Sequence, residues 1–120
     1  MSTLTISNLS DGTKTIATTN VTNGSAKAVC RVNTDGTQNF DRSFNCTSLT
    51  DNGTGSTTVT VTSAFSGVDN FQICGAQNST RYNFSAATAS ASTFNLTVRN
   101  DAATFLDTSQ VSGLAFGDLA

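Results

Sequence analysis

Apolar and polar side chains alternate most cleanly at two places in this chain. Over residues 44–65 a short strand-like run leads into the turn Asp51-Asn52-Gly53-Thr54-Gly55. After it, Val59, Val61 and Phe65 fall on one parity and Thr58, Thr60 and Thr62 on the other. Turn residues that tolerate positive φ, followed by period-two alternation, are what a half-buried antiparallel pair requires, so this stretch predicts a β-hairpin. Over residues 93–99, Phe94, Leu96 and Val98 face one way and Asn95, Thr97 and Arg99 the other, which predicts a second strong strand.

Weaker alternation fills the remainder. Residues 4–6 form a short apolar run closed by a turn cluster at 8–12, and residues 14–21 place Ile16 among threonines before the turn Thr22-Asn23-Gly24-Ser25. Neither is apolar enough for a central strand, so residues 1–24 read as an edge strand or as an arm exchanged between subunits. Over 26–33, the small residues Ala26, Ala28, Cys30 and Val32 share a face that suits close packing against another sheet, with Lys27, Val29 and Arg31 on the other face, where Lys27 and Arg31 would meet water or a partner. Asp35-Gly36 marks a tight turn, residues 38–46 a strand holding Phe40 and Phe44, and residues 66–70 another turn. Strands are further predicted over 71–76 (Phe71, Ile73, Gly75), 81–86 (Tyr82, Phe84, Ala86) and 111–118 (Leu114, Phe116), with Gly75 marking a bulge or a close backbone approach.

Strand-like runs spaced by about ten residues, with turns between them and no helical period, predict one all-β domain spanning 1–120: an antiparallel β-sandwich, jelly-roll-like. The expected core is Val59, Val61, Phe65, Phe71, Ile73, Tyr82, Phe84, Phe94, Leu96 and Val98. So lean a core in a chain of 120 residues points to stabilisation by oligomerisation.

Composition supports the same picture. About three residues in ten are Ser or Thr, only 12% are charged, and the net charge is -2, which describes a folded chain with hydroxyl-rich faces rather than a disordered one. Every acidic residue is Asp, and Glu, His, Trp and Pro are absent. Lack of Glu and scarcity of Lys argue against helices, and lack of His removes the commonest general base and metal ligand. Six scattered Lys and Arg residues give no footprint for nucleic acid. The N-terminus has neither a basic nor an apolar signal-peptide region, and no apolar run is long enough to span a membrane, so synthesis in a cytoplasm is expected. Asn-x-Ser/Thr triplets such as Asn20-Val21-Thr22 are the chance yield of this composition.

Little chemistry is on offer. Cys30, Cys46 and Cys74 show no CxxC spacing and read as small buried strand residues, with a Cys30–Cys46 disulfide left open if the two strands adjoin in an oxidising medium. Asp11, Asp35, Asp51, Asp69, Asp101 and Asp107 lie in or beside turns, where Asp caps backbone, and no two pair in a foreseeable cleft, so a carboxylate-pair glycan depolymerase is not expected. Calcium could be held by loops such as Asp35-Gly36 or Asp51-Asn52-Gly53, but neither has EF-hand spacing, and ordinary turns are the default. No catalytic, cofactor-binding or metal residue is assigned.

Four stretches in fixed order carry a family resemblance: ISNLSDGTKTIATTNVTNGSAKAVCRVNTDGT, RSFNCTSLTDNGTGSTTVTVTSAF, GVDNFQICGA and DTSQVSGLAFGD. Together they resemble a module of tailed-phage virion proteins, found in tail fibres and small particle-surface proteins of phages of aquatic bacteria. The resemblance spans nearly the whole chain. One departure is that the module commonly carries aromatic residues just after Ala-Lys-Ala, where this chain has Val29, Cys30 and Val32. The resemblance implies a non-catalytic, cofactor-free structural or binding role on a virion, usually as a homotrimer.

Because the chain starts at Met1 and shows no coiled-coil shaft, the expectation is a capsid decoration (cement) protein. Its partners would be further copies of itself and the major capsid protein, with assembly in the host cytoplasm. The alternative is a tail fibre or spike module that contacts other tail proteins and binds a host surface glycan, with Tyr82, Phe40 and the Asn/Asp-rich turns as saccharide contacts. Most aromatics in so lean a chain are core residues.

Overall fold

The computed structural model describes residues 2–77 and 82–120, with Tyr82 described by its backbone alone. It is mostly β, with every strand pair antiparallel. Among the described residues ten strands form three sheets. A small hairpin pairs β1 (Asn8–Ser10) with β2 (Thr15–Ala17), and a seven-residue helix α1 (Thr18–Gly24) follows it.

Eight further strands make the body. One sheet has the order β4-β3-β10-β7, from β3 (Ala28–Asn33), β4 (Asn39–Phe44), β7 (Phe71–Gln77) and β10 (Val111–Gly117). The other has the order β5-β6-β9-β8, from β5 (Cys46–Asp51), β6 (Ser56–Val61), β8 (Tyr82–Ser90) and β9 (Thr93–Asn100). The two sheets face each other across one apolar cluster. The first contributes Ala28, Cys30, Val32, Phe71, Val111 and Ala115, and the second Val59, Val61, Phe94, Leu96 and Val98.

Size complementarity explains how the layers close. The inner face of β3 and β10 is small, and the ring of Phe94 and the side chain of Leu96 fill the space before it: a Cβ added at Gly113 would lie 3.2 Å from Phe94 and 3.3 Å from Leu96. At one end Phe65 and Phe71 stack with ring centroids 4.2 Å apart. Polar side chains at inner positions are satisfied, as burial demands. Buried Thr57 donates to Gln38 Oε1 at 2.7 Å, and buried Thr34 donates its hydroxyl proton to Thr108 O at 3.0 Å while accepting from Thr108 N at 2.9 Å.

The hairpin predicted over 44–65 is present as β5 and β6, and its turn is pinned from outside. Gly55 donates its N–H to Asp107 Oδ1 at 2.7 Å and accepts from Val98 N at 2.9 Å, at a φ of 65°. A Cβ there would lie 2.6 Å from both Leu106 N and Val98 O, so only glycine fits. The close approach expected at Gly75 is also found, since a Cβ there would strike the Phe84 ring from the opposite sheet.

Several expectations need correction. Helix α1 occupies residues read as a strand and a turn, and β1 begins at Asn8, inside a predicted turn, while residues 4–6 form no strand. Ile73 and Phe84 are only half-buried, whereas Ala28, Cys30, Val32, Val111 and Ala115 belong to the core. On β10 the inner parity is Val111, Gly113 and Ala115, which leaves Leu114 and Phe116 on the outer face. The expected burial of Tyr82 and the strand start at Arg81 lie outside the described residues. Of the three cysteines only Cys30 is buried; Cys46 is half-buried and Cys74 exposed, and all are free. Among the described residues no helix is long and apolar enough to cross a membrane.

Candidate functional site

The apolar surface that the body leaves uncovered is concentrated at one end, around the N-terminal arm. Within residues 2–25 nothing is buried. Leu4 is 83% exposed and Ile16 45%, with Ile6, Leu9 and Val21 similarly open. Leu9 and Ile16 are cross-strand partners, so they form one apolar patch on one side of the hairpin. The arm projects: the radius of gyration is 16.7 Å and the long axis 51 Å, against about 13–14 Å for the radius of a compact chain of this length.

Local chemistry shapes the arm without help from a core. Its turn is closed by Asp11, whose Oδ1 accepts from Thr13 N at 2.9 Å and Lys14 N at 2.7 Å, with Gly12 at a φ of 90°. Those backbone N–H groups, Lys14 foremost, favour the charged carboxylate and lower the Asp11 pKa below its ordinary value. The Thr18 hydroxyl donates to Ile6 O at 3.0 Å and Ser7 O at 3.1 Å, tying the hairpin to the start of α1. At the other end of α1 the Lys27 amine donates to Thr22 O and to Ser25 Oγ, where a cation suits the carbonyl end of a helix. Lys27, expected to face water or a partner, is thus engaged within the chain.

At the root of the arm lies a cleft of about 560 Å³, bordered by Lys27, Phe44, Asn45, Thr62 and Leu119 among others. Phe44 is 63% exposed. From it an apolar row crosses the outer face of the first sheet: Phe44 pairs with Val29, Val29 with Leu114, and Leu114 with Cys74. The neighbouring row is polar, with Arg31 opposite Arg42 and Ser112, and Arg31 Nε lying 3.4 Å from Asp41 Oδ2. The arm, the cleft and the row form a continuous candidate interaction surface, of a kind rare on a protein that acts alone.

The sequence-derived candidates land elsewhere. Phe40 is half-buried and packs on the core, and the Tyr82 side chain lies outside the described residues. Turn-forming roles for aspartate are seen directly: Asp51 Oδ1 accepts from Gly53 N at 2.8 Å and from Gln38 Nε2 at 2.9 Å, and Asp107 caps Gly55 as described. Among the described residues no group of three or more Cys or Asp side chains converges in the manner of a metal site.

Sequence reasoning missed Asn45, a left-handed residue with a φ of 53° at the corner where the chain passes from one sheet to the other. Its Nδ2 donates to Lys27 O at 2.9 Å and Ser63 O at 3.3 Å, while its Oδ1 accepts from Ser63 N at 2.7 Å. The signal available was an Asn between two strand-like runs, since Asn is a residue type that tolerates this conformation. No family model, curated protein or solved structure matches this chain.

Proposed function

We propose that this chain is a structural protein of a tailed-phage virion, a capsid decoration protein that binds the head shell as a homotrimer and stabilises it. The observation that carries this reading is the arm: five large apolar side chains, Leu4, Ile6, Leu9, Ile16 and Val21, stand uncovered on an element that buries none of its own residues. An isolated two-stranded hairpin is marginal in water, so such an arm is built to be completed by a neighbour. The apolar row Phe44-Val29-Leu114-Cys74 on the outer sheet face offers the matching surface on the next copy. A standard interface engages about 20–30 residues a side, which is the size of the arm. The motif resemblance supports the virion setting and the threefold assembly.

In this reading the two facing sheets are an antiparallel β-sandwich, jelly-roll-like in its eight strands. One end of the trimer lies on the major capsid protein, and the hydroxyl-rich faces suit a wide, wet contact. Peptide counting on purified particles tests the assignment. Hundreds of copies per particle are expected of a decoration protein, and tens or fewer would instead indicate a tail fibre or spike. Heating particles that lack the protein is the functional test: heads should lose their genome at lower temperature, and unchanged genome retention would remove the reading.

A further inference from the structure

Cys30 and Cys46 belong to opposite sheets and meet at the corner between them. Cys30 sits on the inner face of β3, buried, while Cys46 opens β5 and is half-buried. Between them the chain runs along β4 and turns at Asn45, whose three side-chain hydrogen bonds to Lys27 and Ser63 hold the corner in place. That corner aims Cys46 back across the gap. Its Sγ lies 3.6 Å from Val29 O, the carbonyl of the peptide that joins Val29 to Cys30. The two thiols are near enough to influence each other's ionisation.

We propose that Cys30 and Cys46 are a covalent modification site: in an oxidising medium they close to a disulfide that staples one sheet to the other. The oxidant is a low-molecular-weight disulfide. Cys46 is the more accessible of the pair and the more acidic, its pKa lowered by the neighbouring Cys30 thiol, while that of Cys30 is raised by Cys46 and by burial. The Cys46 thiol loses its proton to solvent, and the thiolate attacks one sulfur of the oxidant, expelling a small thiolate and leaving a mixed disulfide. Cys30 then gives up its proton and attacks the Cys46 sulfur, so that the protein S–S bond forms and the second small thiolate leaves. Two protein thiols are oxidised, and one small disulfide is reduced to two thiols. Cys74, exposed on the outer face of β7, has no place in this reaction.

This inference is independent of the virion reading and is tested on the folded, full-length Cys74→Ser protein incubated with oxidised glutathione. Both remaining thiols should disappear, the mass should fall by about 2 Da, and peptide mapping should find a single link between Cys30 and Cys46. The closed loop should raise Tm by about 10 °C over the same protein in reductant. In Cys74→Ser/Cys46→Ser that gain should vanish. Two free thiols after native incubation, a glutathione adduct that persists on Cys46, or a link that forms only in denaturant would overturn the proposal.

Discussion

The body and the arm are written in the same Thr-rich alphabet and reach opposite ends. In the body, Val32, Val59 and Phe94 have no exposed surface at all; in the arm, Leu9 and Ile16 pair across a hairpin and remain open. The difference is not in whether the pattern alternates, because both regions do so, the arm more weakly. It lies in layers: each body strand has a facing sheet that covers its apolar parity, whereas β1 and β2 have only each other. Alternation therefore specifies a strand, and burial needs a second surface, which in the proposed trimer a neighbouring copy supplies.

Substitutions can break that contrast from the body's side first. Phe94→Ala removes the ring that fills the space before Gly113, and about 3–5 kcal/mol of unfolding free energy should be lost in urea titrations. Gly55→Ala forces a Cβ against Leu106 N and Val98 O at a left-handed φ, with an expected loss of about 3 kcal/mol by the same measurement. Asn45→Ala deletes three corner hydrogen bonds and leaves an alanine at a φ of 53°, for about 2 kcal/mol. Asn45→Gly should recover part of that loss, because glycine accepts the conformation.

The smallest effect belongs to the arm. Asp11 has a lowered folded pKa, so its contribution to the turn is present above the unfolded value of 3.8 and is lost as pH falls through the lower folded value. The amide resonances of Thr13 and Lys14, which donate to its carboxylate, should titrate with a midpoint below 3.8, and Asp11→Asn should abolish that titration. Global stability should hardly move, since the carboxylate is fully exposed.

How much of this was legible depends on whether a residue's role is local. Val59, Val61, Phe94, Leu96 and Val98 could be placed in the core because sustained period-two alternation has one simple meaning. The small face of β3 was also readable as a close-packing surface. On β10 the large residues Leu114 and Phe116 drew attention, yet Gly113 and Ala115 face inward, because the opposing Phe94 needs room; that choice is made by the other sheet. Helix α1 was missed because Thr18–Gly24 lacks strong helix formers, an N-cap hydrogen bond and any charged residue, and part of its C-terminal stabilisation comes from Lys27, beyond its end. The interaction surface was only half visible: the arm could be read as exchangeable, but the row it would cover joins Phe44, Val29, Leu114 and Cys74 from four strands, and no linear pattern predicts that register.

The central claim, that the arm is completed by another copy while the body is complete in itself, is tested most directly by light-scattering mass of the full-length protein beside Leu9→Asp/Ile16→Asp. The account predicts about 37 kDa for the native chain, three copies of 12.4 kDa, and 12.4 kDa for the double variant, which should still unfold cooperatively. A native chain at 12.4 kDa, or a double variant that keeps the assembled mass, would contradict it.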